Sequence, residues 1–343
     1  MKKISIIGSG NWGTAIARIV GNNVRDSDAF DSEVRMYVFE EMVDGRKLSE
    51  IINTQHENIK YLPGFQIPDN VVAVTDAGEA ARDADVLVWV LPHKFVRGAA
   101  RPMVGKVKEG AVALSLIKGF DILPGGGVAL ISDVIHEMLG IEVSVMMGAN
   151  LAGEVAAGKF CESTIGCKDV GGVGQMLKKV MQTDYFRIAV VEDIHTIEIC
   201  GALKNIVAVA AGIVDGLELG DNSKAAVMRI GLMEMIKYAA TFHQGSLLST
   251  FFESCGVADL ITTCYGGRNR RIAEAFVRTG KSMEQLEQEM LNGQRMQGPQ
   301  TAEEVHLMLK QRGELDNFPL LVAVHRICIG ELSPAQLIDC IRS

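Results

Sequence analysis

The sequence predicts an α/β N-terminal domain built on a doubly wound sheet, followed by an all-α C-terminal domain. Strand-like apolar segments alternate with helical patterns up to about residue 190, as expected of a sheet covered on both faces. Beyond Val191 the strand signal nearly vanishes and amphipathic helical patterns fill the remainder. The first strand also runs directly into a glycine-rich turn with the spacing G-x-G-x-x-G. We place the domains at 1–190 and 191–343. With 343 residues, 48% hydrophobic and 22% charged, the chain has enough apolar material for two cores.

The opening strand Ile4-Ser5-Ile6-Ile7 leads into Gly8-Ser9-Gly10-Asn11-Trp12-Gly13 and then the helix-competent run Thr14 to Val20. In a Rossmann-like domain each glycine of this turn has a task. Gly8 makes the tight strand exit, Gly10 lets backbone N–H groups approach a pyrophosphate, and Gly13 lets the helix pack closely on the sheet. The helix N-terminus then holds the anion with free N–H groups and its positive dipole end. A polar stretch from Asn22 to Ser32 reads as an insertion before a second strand, Glu33 to Phe39, which ends in Glu40-Glu41. A carboxylate there takes ribose hydroxyls and repels a 2′-phosphate, which favours NAD over NADP. The alternative is that Glu40 and Glu41 merely start a solvated helix.

Further strands are expected at Val71–Val74, Val86–Leu91, Ala111–Leu116, Val143–Met147, Ser163–Cys167 and Phe186–Val191. Helices are expected at Asp76–Arg82 and Ile131–Leu139, with a glycine-rich connection at Pro124-Gly125-Gly126-Gly127. The C-terminal helices are expected at Ile194–Val214, Lys224–Phe242, Arg271–Thr279, Ser282–Leu291, Thr301–Arg312 and Pro319–Ile329.

The net charge of −8, with no long basic run, argues against nucleic acid or an anionic membrane as partner. A small anionic substrate would need a local positive pocket. Met1-Lys2-Lys3 leaves no room for a leader before the first strand, and the apolar run Ile206–Val214 is far short of the ~20 residues that span a bilayer. These features predict a cytoplasmic protein without membrane insertion. Seven Cys form no C-x-x-C pair and seven His form no H-E-x-x-H, so reduced thiols and no metal are expected.

Lys204-Asn205 lies between Ile199-Cys200-Gly201-Ala202-Leu203 and Ile206-Val207-Ala208-Val209-Ala210. A buried ammonium is costly unless paired, and burial moves a lysine toward the range of a general acid/base. A lysine whose stem lies on apolar surface with its amine in water would give the same pattern. Lys118 follows the strand Ala111–Ile117, at the carboxyl edge where open α/β sheets bind ligands; a surface charge at a strand end is the bland reading. In Asp259 to Arg271, Gly266-Gly267 can expose N–H groups at a helix start, and Arg268 adds a guanidinium fork that matches phosphate.

These motifs, together with Ile51-Ile52-Asn53-Thr54-Gln55-His56-Glu57-Asn58, Ser115-Leu116-Ile117-Lys118-Gly119, Met147-Gly148-Ala149-Asn150 and Gly256 through Arg270, resemble the eukaryotic cytosolic NAD-dependent glycerol-3-phosphate dehydrogenases end to end. The resemblance implies NAD as cofactor, a small phosphorylated substrate and a homodimer formed through the helical domain. It implies Lys204 as general acid/base, with Lys118, Asn205, Asp259 and Thr263 around the reacting carbon and its oxygen. Arg268 and Asn269 would grip the phosphate, with Lys118 also on the substrate. Gly8 to Gly13, Phe39, Phe95, Ala152, Arg268 and Gln297 would contact the dinucleotide. Arg295, in Asn292-Gly293-Gln294-Arg295-Met296, stands where members often carry Lys; its charge survives but its geometry differs. A dehydrogenase of β-hydroxy acids would share the fingerprint but need a carboxylate site. An NAD-binding sensor would not need Lys204, Asp259 and Arg268 together.

Overall fold

The computed structural model describes residues 1–123, 127–291 and 295–342, so Pro124 to Gly126 of the expected glycine-rich connection and Asn292 to Gln294 lie outside the described residues. The chain forms two compact units, Met1–Lys118 with Ile131–Ile194, and Gly119–Leu130 with His195–Ser343.

The first unit carries an eight-stranded sheet. Its strands are β1 (Lys2–Ile7), β2 (Phe30–Tyr37), β5 (Val71–Val74), β6 (Val86–Trp89), β7 (Val112–Ser115), β10 (Glu142–Met147), β11 (Cys161–Gly166) and β12 (Phe186–Val191). A two-residue hairpin, β3 (Met42–Val43) with β4 (Arg46–Lys47), follows β2. The sheet order is β12-β11-β10-β7-β6-β1-β2-β5, parallel except between β10 and β11. Read from β5 to β10, this is the doubly wound order in which the chain reverses direction beside its first strand, and ligands bind outside the carboxyl ends of the strands at that switch point. The strands are apolar on both faces: Val86, Leu87, Val88 and Trp89 of β6 are all buried. Register places Ile6 beside Val88 on one side and Met36 on the other.

The expected insertion at Asn22–Ser32 is not one. The helix after the glycine turn continues to Arg25, and β2 begins at Phe30. The polar residues occupy the helix's outer side while Gly21 and Val24 stay buried, and Asn23 Nδ2 donates to the Val180 carbonyl at 2.9 Å. A polar outer face thus imitates a loop in the sequence.

The second unit is helical, with one addition. Its main helices are Ile194–Gly216, Asp221–Phe242, Asp259–Gly266, Arg268–Thr279, Met283–Leu291, Gln297–Arg312 and Pro319–Cys328. The expectation of a purely helical unit starting near residue 191 needs one correction, because the hairpin β8 (Phe120–Ile122) with β9 (Val128–Leu130) belongs to it. Phe120 and Leu130 are buried in the helical core, with the Phe120 ring 6.2 Å from that of Tyr238. Helix Ile194–Gly216 runs through the centre of this core. By length and composition it could cross a membrane, a property not evident from the Ile206–Val214 run, yet its apolar window is wholly buried inside the protein. Each of its buried Val, Leu and Ile side chains contributes about 1.5–3 kcal/mol relative to exposure.

Candidate active site

In the first unit, Gly8 leaves β1 with φ of +127°, in the left-handed region, and a Cβ there would lie 2.7 Å from the Val90 carbonyl oxygen. A Cβ on Gly13 would lie 2.5 Å from the Gly8 oxygen, so only glycine lets the helix Asn11–Arg25 approach the strand exit. A Cβ on Gly10 meets nothing within 4 Å. Gly10 is also the N-cap of that helix and offers no side chain to its first N–H groups, which helix geometry leaves without intrahelical partners. Open space over free donors at a positive dipole end fits a pyrophosphate. Ser9 is buried, Asn11 is exposed with Nδ2 donating to the Tyr61 carbonyl, and Trp12 is half-buried with its ring edge-on to Phe186.

The other residues expected to face the dinucleotide in this unit follow the carboxyl ends of neighbouring strands. Phe39 follows β2, Phe95 closes a turn after β6, and Ala152 opens a short helix after β10. Both phenylalanines are exposed. Lys118, half-buried, follows β7 on the same edge of the sheet.

Glu40 and Glu41 do not stand free for a ribose. Ser49 Oγ donates to Glu40 Oε2 at 2.7 Å, which draws its carboxyl below the usual range. Glu41 accepts from Tyr61 Oη at 2.5 Å and pairs with Lys60. The Glu40 carboxylate therefore serves the start of the following helix, Leu48–Gln55, and that of Glu41 serves the segment after it. The sequence could not reveal this, because Ser49 and Lys60–Tyr61 reach them only through the fold.

In the second unit, Lys204 is 2% exposed and forms an ion pair with Asp259, also 2% exposed. Asp259 is the first residue of its helix, directly after a π-helical turn, Ser254–Ala258. Such turns widen the backbone spiral and recur at functional sites. Thr263, one turn on, donates from Oγ1 to Asp259 Oδ1 at 3.3 Å. Beside them the Cys264 thiol is pushed up to about 12 by burial.

Asn205 links this pair to the next helix. Its Nδ2 donates to the Gly201 carbonyl at 3.2 Å and its Oδ1 accepts from Asn269 Nδ2 at 2.9 Å. Asn269 Oδ1 in turn accepts from the Gly298 N–H at 3.0 Å, tying in the start of helix Gln297–Arg312, where Gln297 is half-buried. Arg268 opens helix Arg268–Thr279 with Gly267 as N-cap, as the Gly-Gly reading anticipated. Its side chain keeps solvent access while the atoms packed around it desolvate the guanidinium and lower its pKa. Arg295 is exposed.

The sequence reading missed Asp215 altogether. Its Oδ2 accepts from Lys224 Nζ at 2.7 Å and Arg270 Nε at 2.5 Å, and Arg270 also reaches Glu274 at 2.9 Å. This anchors the helix that carries Arg268 and Asn269. Among the described residues, no group of three or more His, Cys, Asp or Glu is placed to hold a metal ion.

The arrangement offers a paired, buried ammonium for proton exchange, a guanidinium at a helix start for an anion, and a glycine turn for a pyrophosphate. Comparison with known proteins gives the family. Family models for the N-terminus and the C-terminus of NAD-dependent glycerol-3-phosphate dehydrogenase match residues 3–172 and 193–339. The chain is 60% identical over 343 residues to the cytoplasmic glycerol-3-phosphate dehydrogenase (NAD+) of Rattus norvegicus, covering 100% of this chain and 98% of that one. It is 59% identical over 340 residues to that of Drosophila melanogaster, covering 99% and 93%. The solved glycerol-3-phosphate dehydrogenase of Saccharomyces cerevisiae superposes with a TM-score of 0.91 at 43% identity, covering 100% of this chain and 99% of that one.

Proposed function

Because this chain belongs to the NAD-dependent glycerol-3-phosphate dehydrogenase family and is an oxidoreductase of that kind, we propose that Lys204 is its general acid/base. The reaction interconverts dihydroxyacetone phosphate and sn-glycerol 3-phosphate. NADH, when bound over the glycine turn, supplies the hydride to the ketone carbon. Lys204 gives a proton to the alkoxide oxygen that develops there, and takes it back in the reverse direction. Asp259 holds the ammonium in place and stabilises its charge inside an apolar core. Thr263 and Asn205 fix Asp259 and the neighbouring helix turn. Arg268 and Asn269 take the phosphate at the start of their helix, and Lys118 adds a second ammonium for the substrate. The phosphate is remote from the reacting carbon, so its binding energy serves orientation.

The observation that carries this reading is the buried Lys204–Asp259 pair, whose lysine lies in a largely apolar helix. NADH absorbance is followed with dihydroxyacetone phosphate for wild type, Lys204→Ala and Lys204→Arg. Arginine keeps the charge for Asp259 but does not release a proton. Both variants should lose about 10²- to 10⁴-fold in kcat while NADH binding persists. More than a tenth of wild-type kcat in the arginine variant refutes the acid/base role.

Relatives of this chain carry the word cytoplasmic in their names, and we assign it the same compartment. We also assign it a homodimer through the second unit, where Leu247, Leu248 and Phe252 are exposed at the two ends of the short helix Leu248–Phe252 and Ile261 on helix Asp259–Gly266.

A further inference from the structure

Asn58 is fully buried, and all of its amide is used. Nδ2 donates to the Ser9 carbonyl at 2.8 Å and to Thr14 Oγ1 at 2.9 Å, while Oδ1 accepts from the Tyr61 N–H at 3.1 Å. These partners fix which end of the amide is which, because a carbonyl oxygen only accepts and a backbone N–H only donates. Thr14, also fully buried, passes its own hydroxyl proton to the Gly10 carbonyl at 2.9 Å. The Ser9 carbonyl is thus drawn toward the protein interior by the Asn58 amide, with Thr14 Oγ1 also 3.3 Å from it, whereas the Gly10 carbonyl is already held along the helix by the Thr14 backbone N–H at 2.9 Å.

The consequence lies in the geometry of the peptide bond. In a trans peptide the C=O and the N–H of the same unit point in opposite directions. Holding the Ser9 oxygen toward Asn58 therefore turns the Gly10 N–H the other way. The Asn11 N–H is set by the helix itself, whose Thr14 N–H takes the Gly10 oxygen at 2.9 Å. Gly10 is where a Cβ meets nothing within 4 Å, so these N–H groups border the open space at the helix N-terminus. A carbonyl oxygen swung outward would instead face the anion with its negative end.

We propose that Asn58, supported by Thr14, is a positioning residue for the pyrophosphate of the dinucleotide, holding the Ser9 carbonyl inward so that the Gly10 N–H is presented to the anion beside the helix N-terminus. It makes no contact with the ligand itself. The proposal rests on the glycine turn being the dinucleotide site, and the test separates the two.

Dissociation constants are measured by competition against NADH fluorescence for ADP, which carries the pyrophosphate, and for adenosine, which carries no phosphate. The proteins are wild type, Asn58→Ala and Asn58→Asp. Aspartate keeps the shape of the side chain and keeps an acceptor for Tyr61, but its ionised carboxylate has no proton for Ser9 and repels its oxygen. Both variants should bind ADP about tenfold or more weakly, while adenosine changes less than twofold. For Asn58→Asp the loss of ADP affinity should shrink as the pH falls and the acid regains a donor O–H. Equal losses for ADP and adenosine, or unchanged ADP affinity in a folded variant, overturn the role of Asn58. Failure of the wild type to bind ADP overturns the dinucleotide reading and the proposal with it.

Discussion

At Arg268 two requirements meet, because a substrate phosphate needs a donor fork and a helix N-terminus needs an anion. Arg268 follows the N-cap Gly267, and its guanidinium is desolvated by its surroundings. Charge-assisted hydrogen bonds to a group in that setting are worth roughly 1.5 to 3 kcal/mol. Arg268→Ala should therefore lower kcat/KM for dihydroxyacetone phosphate at least about tenfold, and much less for unphosphorylated dihydroxyacetone. Steady-state kinetics on both substrates decide it: equal losses move Arg268 to the cofactor or to the fold. Lys204 and Arg268 were legible as candidates because a charge inside an apolar run, or after a Gly-Gly turn, is anomalous on its own. Asp215 was not legible, since a carboxylate near a helix end is ordinary until Lys224 and Arg270 converge on it.

Elements impose their own tests, starting with the packing of helix Ile194–Gly216 on helix Arg268–Thr279. A Cβ at Gly212 would come 2.2 Å from the Arg270 carbonyl oxygen and 2.8 Å from Ala273 Cβ, so the contact depends on the absence of a side chain. Gly212→Val should force the helices apart, costing about 1–3 kcal/mol or more by denaturant unfolding. It should also strain the Asn205–Asn269 hydrogen bond, so KM for the phosphorylated substrate should rise more than KM for NADH. A second element contact joins helices Gln297–Arg312 and Pro319–Cys328, where the His306 and His325 rings stack at 4.2 Å. Burial, then the neighbouring His306, lowers the His325 pKa from 6.5 to about 4. The unfolded chain thus takes a proton as pH falls through 6.5, while the folded chain does not until about 4. Stability contributed by this neutral ring is complete above 6.5 and falls across that window. His325→Gln should flatten this part of the Tm-against-pH curve; an unchanged slope between pH 6.5 and 4 would show that other groups govern it.

For the whole molecule, the exposed apolar residues of the second unit lead to a prediction about assembly. Leu248 and Phe252 are each more than half exposed, which is costly on a free surface. Sedimentation equilibrium at micromolar concentration should give a mass near twice 37.1 kDa, and Leu248→Glu with Phe252→Glu should shift it toward the monomer. A wild-type mass of one chain would remove the dimer assignment.

What the sequence determined by itself was local or periodic. Apolar runs marked the sheet, helical spacing marked the second unit, and the glycine turn stood out as a candidate dinucleotide site, because Gly8, Gly10 and Gly13 each answer a constraint within a few residues of themselves. Even there, a polar helix face at Asn22–Arg25 passed for a loop, since solvent exposure looks the same in both. Only the tertiary structure decided what depended on residues distant in the chain. Phe120 and Leu130 bury in the helical core, so β8 and β9 join the second unit. Glu40 and Glu41 are claimed by Ser49, Lys60 and Tyr61. Lys204 finds Asp259, and Asn58 finds Ser9, across intervals that no local pattern spans, because a buried charge or amide takes whichever partner the packed core brings within reach.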